Sequence, residues 1–330
     1  MMPLLWVQHL SIGIKRGKEY LSAVEDISFC INPGEIVGIV GESGCGKSLT
    51  ALSIPGLLAE GVHITGGSII FDNRDLIGLP ERDLYRLRGN EISMVFQEPM
   101  TSLNPLLKIG RQIAEPLELH GWKNKKLIRD EVIDIMKRVG LAEPEKLLDA
   151  YPHQLSGGMR QRVMIALAVV CKPKLLIADE PTTALDVTIQ AQILTLMKKI
   201  NKTLGTSILF ISHDLGVVSR FCDRVLVMYA GKLVEEGTTR NIFRHPVHEY
   251  TRGLIGSIPA KSHKGTPLVN IPGKVPSIEE KRFHCPFAPR CLRAEDRCYT
   301  AFPPDIELSE NHSVRCFLAD KESEMEYARI

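Results

Sequence analysis

An apolar run, Glu35-Ile36-Val37-Gly38-Ile39-Val40, passes directly into Gly41-Glu42-Ser43-Gly44-Cys45-Gly46-Lys47-Ser48 and then into a helical pattern. No other stretch constrains the chain as tightly. The spacing fits G-x-x-x-x-G-K-[ST] in its strand-to-helix context. Glycines at these positions let the backbone wrap closely, so that amide N–H groups point at phosphate oxygens. A helix N-terminus adds a positive dipole. Lys47 supplies a point charge for β and γ phosphates, and Ser48 a hydroxyl for Mg²⁺. The candidate nucleotide contacts are Gly41, Ser43, Gly44, Cys45, Gly46, Lys47, Ser48 and Leu49, with Cys45 at a position where backbone rather than side chain does the binding. The glycine order is not G-x-G-x-x-G, so this is not a dinucleotide fingerprint.

A second apolar run, Leu175-Leu176-Ile177-Ala178, ends in Asp179-Glu180. Strands leaving a core often end in charge. Paired with the Gly41–Ser48 loop, however, Asp179 reads as a holder of Mg²⁺ through water. Glu180 reads as the group that orients or deprotonates an attacking water. Residues 174–178, 207–211 and 224–228 join 35–40 as strands apolar enough for a parallel sheet covered on both faces. Residues 187–204 form a helix between them, which gives an α/β arrangement. The segment from about 98 to 165 differs. It carries helical patterns at 109–119 and 126–139 and no convincing strand, so it reads as a helical insertion. Within it, Leu155-Ser156-Gly157-Gly158-Met159-Arg160-Gln161-Arg162 opens a helix. Ser156 is a good N-cap, and Gly157 and Gly158 leave the first amides bare for a second anion site.

Composition sets limits. The 330 residues are 44% hydrophobic and 24% charged, which excludes disorder as the dominant state. Forty-one basic residues face 39 acidic ones, a net charge of +2, which argues against a protein built around nucleic-acid phosphates. The longest apolar run, 163–171, is too short to cross a bilayer. Residues 1–7 lack the basic and long apolar regions of a signal peptide. A cytoplasmic chain is expected, acting at a membrane only by docking onto another subunit.

After about residue 257 Pro259, Pro267, Pro272, Pro276, Pro286, Pro289, Pro303 and Pro304 break every long element. A segment this irregular has little core of its own and needs a staple. Four of the eight cysteines fall here, Cys285-x5-Cys291-x6-Cys298-x17-Cys316. In a reducing compartment such a cluster is more often a metal site than a disulfide framework. Four thiolates suit either a tetrahedral Zn²⁺ or a [4Fe–4S] cluster, and neither the close pairs of zinc ribbons nor ferredoxin spacings occur. The spacing says metal and leaves it unnamed. His284 and His312 read as bystanders, and Cys30, Cys171 and Cys222 as small buried residues.

The order of Gly41–Ser48, Gln97, Leu155-Ser156-Gly157-Gly158, Asp179-Glu180 and His213 resembles the ATP-binding subunits of ABC transporters over about residues 4–256. In that family two such domains sandwich two ATP molecules head to tail, the loop of one partner and the Ser-Gly-Gly of the other completing each site. The resemblance implies that Gln97 senses Mg²⁺ and the membrane partner, that Asp186 in Ala184-Leu185-Asp186 is a dimer contact, and that His213 meets the γ-phosphate. It also implies an aromatic that stacks on adenine, for which Tyr20 is the candidate. Catalysis would fall to Glu180, His213 and Gln97, and Mg²⁺ to Ser48 and Gln97.

Tyr151-Pro152-His153-Gln154 and His245-Pro246-Val247-His248-Glu249-Tyr250 resemble the dipeptide and oligopeptide importers, although Glu249 stands where the usual pattern has Pro. Cys285-Pro286-Phe287-Ala288-Pro289-Arg290-Cys291 is similar to the iron–sulfur region of those ATPases. The expectation is therefore an α/β P-loop ATPase at 1–256, with a helical insertion at about 98–165 and an irregular metal-binding region at 257–330. It would bind ATP, Mg²⁺ and a [4Fe–4S] cluster, with zinc as the alternative. Expected partners are a second ATPase subunit (a related chain or a copy of itself), two membrane permease subunits and an extracellular binding protein, with no nucleic acid. The place would be the cytoplasmic face of the membrane. Nickel, opine or other small-solute import is the alternative, followed by a soluble non-transport ABC ATPase or an iron–sulfur redox sensor on an ATPase fold.

Overall fold

The computed structural model describes residues 2–96, 102–183, 186–258, 271–280 and 283–319. They fall into two compact units: Met1–Leu4, Ile31–Ile36 and Asp72–Ile211 in one, Leu5–Cys30, Val37–Phe71 and Ser212–Ile330 in the other.

In the first unit, strands Ile92–Val95, Leu175–Asp179 and Ser207–Ile211 pair in parallel, with Ile92 opposite Leu175 and Leu175 opposite Ser207. Every residue of the last two strands is buried, as continuous apolar runs require when both faces of a sheet are covered. Helix Val187–Leu204 connects them, burying Ile193, Leu196, Met197 and Ile200 on one face. Asp186 caps its start by accepting from the Ile189 N–H, and Gly205 in the left-handed region (φ 70°) ends it. The stretch read as a helical insertion carries helices Ile109–Leu119, Lys125–Arg138, Pro144–Leu147 and Gly157–Val169. Asn124 caps the second of these, and Ile128, Val132, Ile135 and Met136 form its buried stripe.

In the second unit, strand Ile36–Val40 runs parallel to Arg224–Tyr229. The latter turns through Ala230 (φ 48°) and Gly231 (φ 85°) into antiparallel Lys232–Thr238, a two-residue connection of the primed kind. The same unit holds an antiparallel sheet that the apolar-run reading did not contain, in which Leu5–Arg16 lies between Glu19–Ile31 and Val62–Phe71.

The C-terminal region is not free of regular structure. His312–Val314 adds to Lys232–Thr238, with Glu235 opposite Val314, and Ile306–Ser309 adds outside it. Val314 and Ala319 share a small core with Val247, against which Ile306, Leu308 and Cys316 pack. The proline-rich segment is thus stapled by strand addition and shared apolar burial. That support was expected from a metal.

Candidate functional site

The Gly41–Ser48 loop, in the second unit, leaves the buried strand Ile36–Val40 and opens helix Lys47–Ser53. Gly41 has φ 154°, and a Cβ on it would lie 2.1 Å from the Met228 carbonyl oxygen. Gly44 (φ 78°) and Gly46 (φ 105°) also have positive φ. Ser43, Gly44 and Ser48 are exposed, Leu49 is half-buried, and Cys45 is buried, which raises its thiol pKa. Lys47, 5% exposed, donates to the carbonyls of Gly41 (2.8 Å) and Glu42 (3.0 Å).

His213 also lies in this unit and is exposed. The Ser212 N–H donates to the carbonyl of Ile39 at 3.2 Å, tying the segment to the strand that feeds the loop. On the other side Asp214 caps helix Leu215–Phe221 through the N–H groups of Gly216 and Val217. Tyr20 is half exposed on strand Glu19–Ile31, its ring edge-on to His63 at 5.6 Å.

The first unit holds Asp179, Glu180, Asp186 and the Ser156-Gly157-Gly158 turn. Asp179 is the buried last residue of its strand. Glu180 takes φ 46°, its N–H donates to the Ile211 carbonyl, and its carboxylate accepts from the Thr183 hydroxyl at 3.0 Å. A non-glycine residue in the left-handed region is uncommon and gathers at functional sites. Ser156 caps helix Gly157–Val169 by accepting from the Met159 N–H. Ser156 and Gly157 are exposed, and among the described residues nothing beyond its chain neighbours and its own helix's backbone comes within 4 Å of a Cβ built on Gly157. Gln161, buried on that helix, donates to the Pro181 carbonyl at 2.6 Å, joining the Ser-Gly-Gly helix to the turn after Glu180. Gln97 lies outside the described residues.

The four tail cysteines are brought together. Cys285, Cys291, Cys298 and Cys316 line one cavity with His248, Phe287 and Leu318. None is in a disulfide. Burial pushes the Cys285 thiol up to about 11 and the Cys316 thiol up to about 12. Thiols so placed stay protonated at neutral pH unless a cation joins them. The expected metal site is not seen as such: among the described residues no three His, Cys, Asp or Glu groups lie close enough to hold a metal ion. A single zinc ion needs its sulfurs about 2.3 Å from one point. Ligands to the separate irons of a cluster are held farther apart, around a common hollow.

Beside this cavity Glu235 has no side-chain exposure. Its carboxylate accepts from the N–H groups of Val247 (2.9 Å) and His248 (3.0 Å) and lies 2.8 Å from His312 Nε2. His248 is buried, and its Nδ1 accepts the Tyr250 N–H at 3.1 Å. Burial drops the His248 pKa from 6.5 to about 4, against the raising influence of Glu235. The unfolded chain therefore binds this proton first. The stability contributed by neutral His248 is complete above pH 6.5 and is lost as pH falls towards 4, on the order of 3 kcal/mol. Denaturant midpoints between pH 7 and 4.5 are expected to fall less steeply for His248→Asn, which keeps a helix-capping acceptor, than for the wild type. Equal slopes would remove His248 from the acid response.

Sequence reasoning did not find one pair. Arg290 from the cysteine-rich run meets Glu42 of the loop in a two-point ion pair, with N–O distances of 2.7 and 3.0 Å. A signal was available: an acid inside a loop shaped for phosphate calls for a cation to balance it.

The chain matches the ABC transporter family over residues 24–183. It matches the oligopeptide/dipeptide transporter C-terminal region over residues 234–298. It is 50% identical over 323 residues to the oligopeptide transport ATP-binding protein AppD of Bacillus subtilis, covering 98% of each chain. The dipeptide transport ATP-binding protein DppD of the same organism is 47% identical over 325 residues, covering 98% of this chain and 97% of that one. Among solved structures, a dimeric ATP-binding cassette in a post-hydrolysis state bound to ADP and Pi is 31% identical with a TM-score of 0.64, covering 72% of this chain and 99% of that chain.

Proposed function

The chain belongs to the ATP-hydrolysing subunits of ABC transporters, and from that premise we propose that it powers a permease importing dipeptides or oligopeptides. The observation that carries the reading is the extent of the likeness. It covers 98% of the chain, taking in both the Gly41–Ser48 loop and the C-terminal region.

In this reading Gly41, Ser43, Gly44, Cys45, Gly46, Lys47, Ser48 and Leu49 hold the phosphates of ATP, Lys47 meets the β and γ phosphates, Ser48 and Gln97 serve Mg²⁺, and Asp179 holds it through water. Tyr20 stacks on adenine, and its half-exposed ring supports that role. Glu180 activates water and His213 contacts the γ-phosphate. Ser156, Gly157 and Gly158 complete the site of a second ATPase subunit, with Asp186 at the contact. The openness of the Ser156–Gly157 turn supports a partner there. ATP binding closes the pair and hydrolysis reopens it. Two membrane subunits dock near Gln97 and the helical insertion, at the cytoplasmic face, and a separate binding protein delivers substrate. No helix among the described residues is long and apolar enough to cross a membrane itself. Residues 1–256 form the ATPase domain and 257–330 the cysteine-rich one.

Cys285, Cys291, Cys298 and Cys316 would hold a [4Fe–4S] cluster, a staple added to the strand pairing and apolar burial that already hold the region. Their convergence on one cavity supports this.

The test is the complex with its permease subunits and binding protein, purified without oxygen and placed in liposomes. Dipeptides or oligopeptides are expected to stimulate ATP hydrolysis and to accumulate inside. Stimulation by nickel or opines and not by peptides would assign the alternative cargo. Iron and sulfide on the same preparation should approach four each per chain. One zinc, or neither metal, would end the cluster assignment and leave the ATPase standing.

A further inference from the structure

Glu42 is held at three points. Its N–H donates to the Tyr250 hydroxyl at 2.8 Å, its carbonyl accepts from Lys47, and its carboxylate takes both arms of Arg290. Tyr250 and Arg290 both belong to the C-terminal region matched over 234–298. Arg290 is anchored in turn. Its Nε donates to the Pro272 carbonyl at 2.7 Å, and a guanidinium N–H reaches the Tyr229 hydroxyl at 3.2 Å. Its side chain is 5% exposed. Tyr229, Tyr250 and Phe287 pack ring against ring around it, with centroids 4.6 to 5.5 Å apart. A fork-to-fork pair fixes a carboxylate in orientation as well as in place.

The chemistry of the loop gives this pair a purpose. An unpaired carboxylate at Glu42 would repel an incoming polyphosphate, and a loose one would leave the Gly41–Glu42 peptide free to turn. Arg290 cancels the charge and fixes the peptide whose carbonyls receive Lys47.

We propose that Arg290 is a positioning residue for the nucleotide. Through Glu42, the C-terminal region sets the charge and conformation of the phosphate loop, and so the affinity for ATP. This goes beyond the import assignment and depends neither on the cargo nor on what the cysteines hold.

The experiment measures ATP Kd, kcat and KM for the wild type, Arg290→Met, Glu42→Gln and the double variant, with iron and free-thiol content followed in each preparation. Arg290→Met is expected to raise the ATP Kd by about tenfold, a factor well within the reach of a truncated charge pair. It should leave kcat at saturating ATP within about twofold and the tail's iron and thiols unchanged. In the Glu42→Gln background the same substitution should change the Kd by less than about twofold, because coupled residues fail to add. Equal effects in both backgrounds, or no effect in the wild type, would overturn the proposal. If Arg290→Met does not fold, Arg290→Lys carries the same comparison, because it keeps the buried charge and loses the fork.

Discussion

Glu180→Gln is expected to lower ATP hydrolysis by about 10²–10⁴-fold, the span assigned to a general base, while ATP stays bound. The substitution keeps the side chain's length, and its remaining oxygen still accepts from Thr183, so the local turn survives. What disappears is basicity at one atom. The turn also carries backbone strain, since Glu180 sits at φ 46°, a conformation that costs a β-carbon-bearing residue about 1–3 kcal/mol. That cost is met by the hydrogen bond from its N–H to Ile211 and by Gln161 gripping the next residue's carbonyl. Retention of labelled ATP with phosphate release near zero is the expected pattern. Release at the wild-type rate would take the catalytic role away from Glu180.

Gly41→Ala should be the most damaging of the small substitutions. The added methyl would stand 2.1 Å from the Met228 carbonyl oxygen and 2.8 Å from the Cys45 sulfur. Met228 lies in a strand whose six residues are all buried, so it has nowhere to retreat. A loss of about 3 kcal/mol or more is expected, together with loss of ATP binding. Gly44 is the control. It too has positive φ, but among the described residues nothing beyond its chain neighbours lies within 4 Å of its missing Cβ. Gly44→Ala should therefore cost only the left-handed penalty of about 1–2 kcal/mol. Denaturant midpoints separate the two, and equal losses would show that backbone conformation and not collision governs the loop.

The parts legible in the sequence were those whose chemistry is local. The strands at 36–40, 175–179, 207–211 and 224–229 are apolar runs broken only at their ends, by Asp179, Ser207 and Arg224, and sheet strands covered on both faces leave that mark. Helix Val187–Leu204 announced itself with an acidic cap, a 3–4 spacing of apolar residues and a terminal glycine. The spacing of the four cysteines, which fits neither zinc ribbons nor ferredoxins, pointed to a metal; the structure gathers them around one cavity, and among the described residues no three ligand groups lie close enough to hold an ion. The antiparallel sheet of 5–16, 19–31 and 62–71 was harder to read. Its strands are half-buried, and bulges between Gln8 and Ser11 break the alternation that would have marked them. The tail strands are short, the first of them following Pro303 and Pro304, and they exist because an edge at 232–238 accepts them. The Arg290–Glu42 pair spans 248 residues, and no local pattern announces a contact at that separation. Nor does any composition reveal that Glu180 takes positive φ.

The strand pairing of the tail has a consequence in time. Glu235 receives His312 only after 77 further residues have been made, about 4–15 s of synthesis at ordinary rates of elongation. Until then strand Lys232–Thr238 presents an open edge, the kind that invites pairing with other chains. One of its two acids, Glu235, is a gatekeeper during that interval, hydrated and repelling. It becomes a buried acceptor only when residues 306–314 arrive to cover it. The strand's pairing is thus completed long after the strand itself is made, so an unfinished ATPase core carries its own mark of incompleteness.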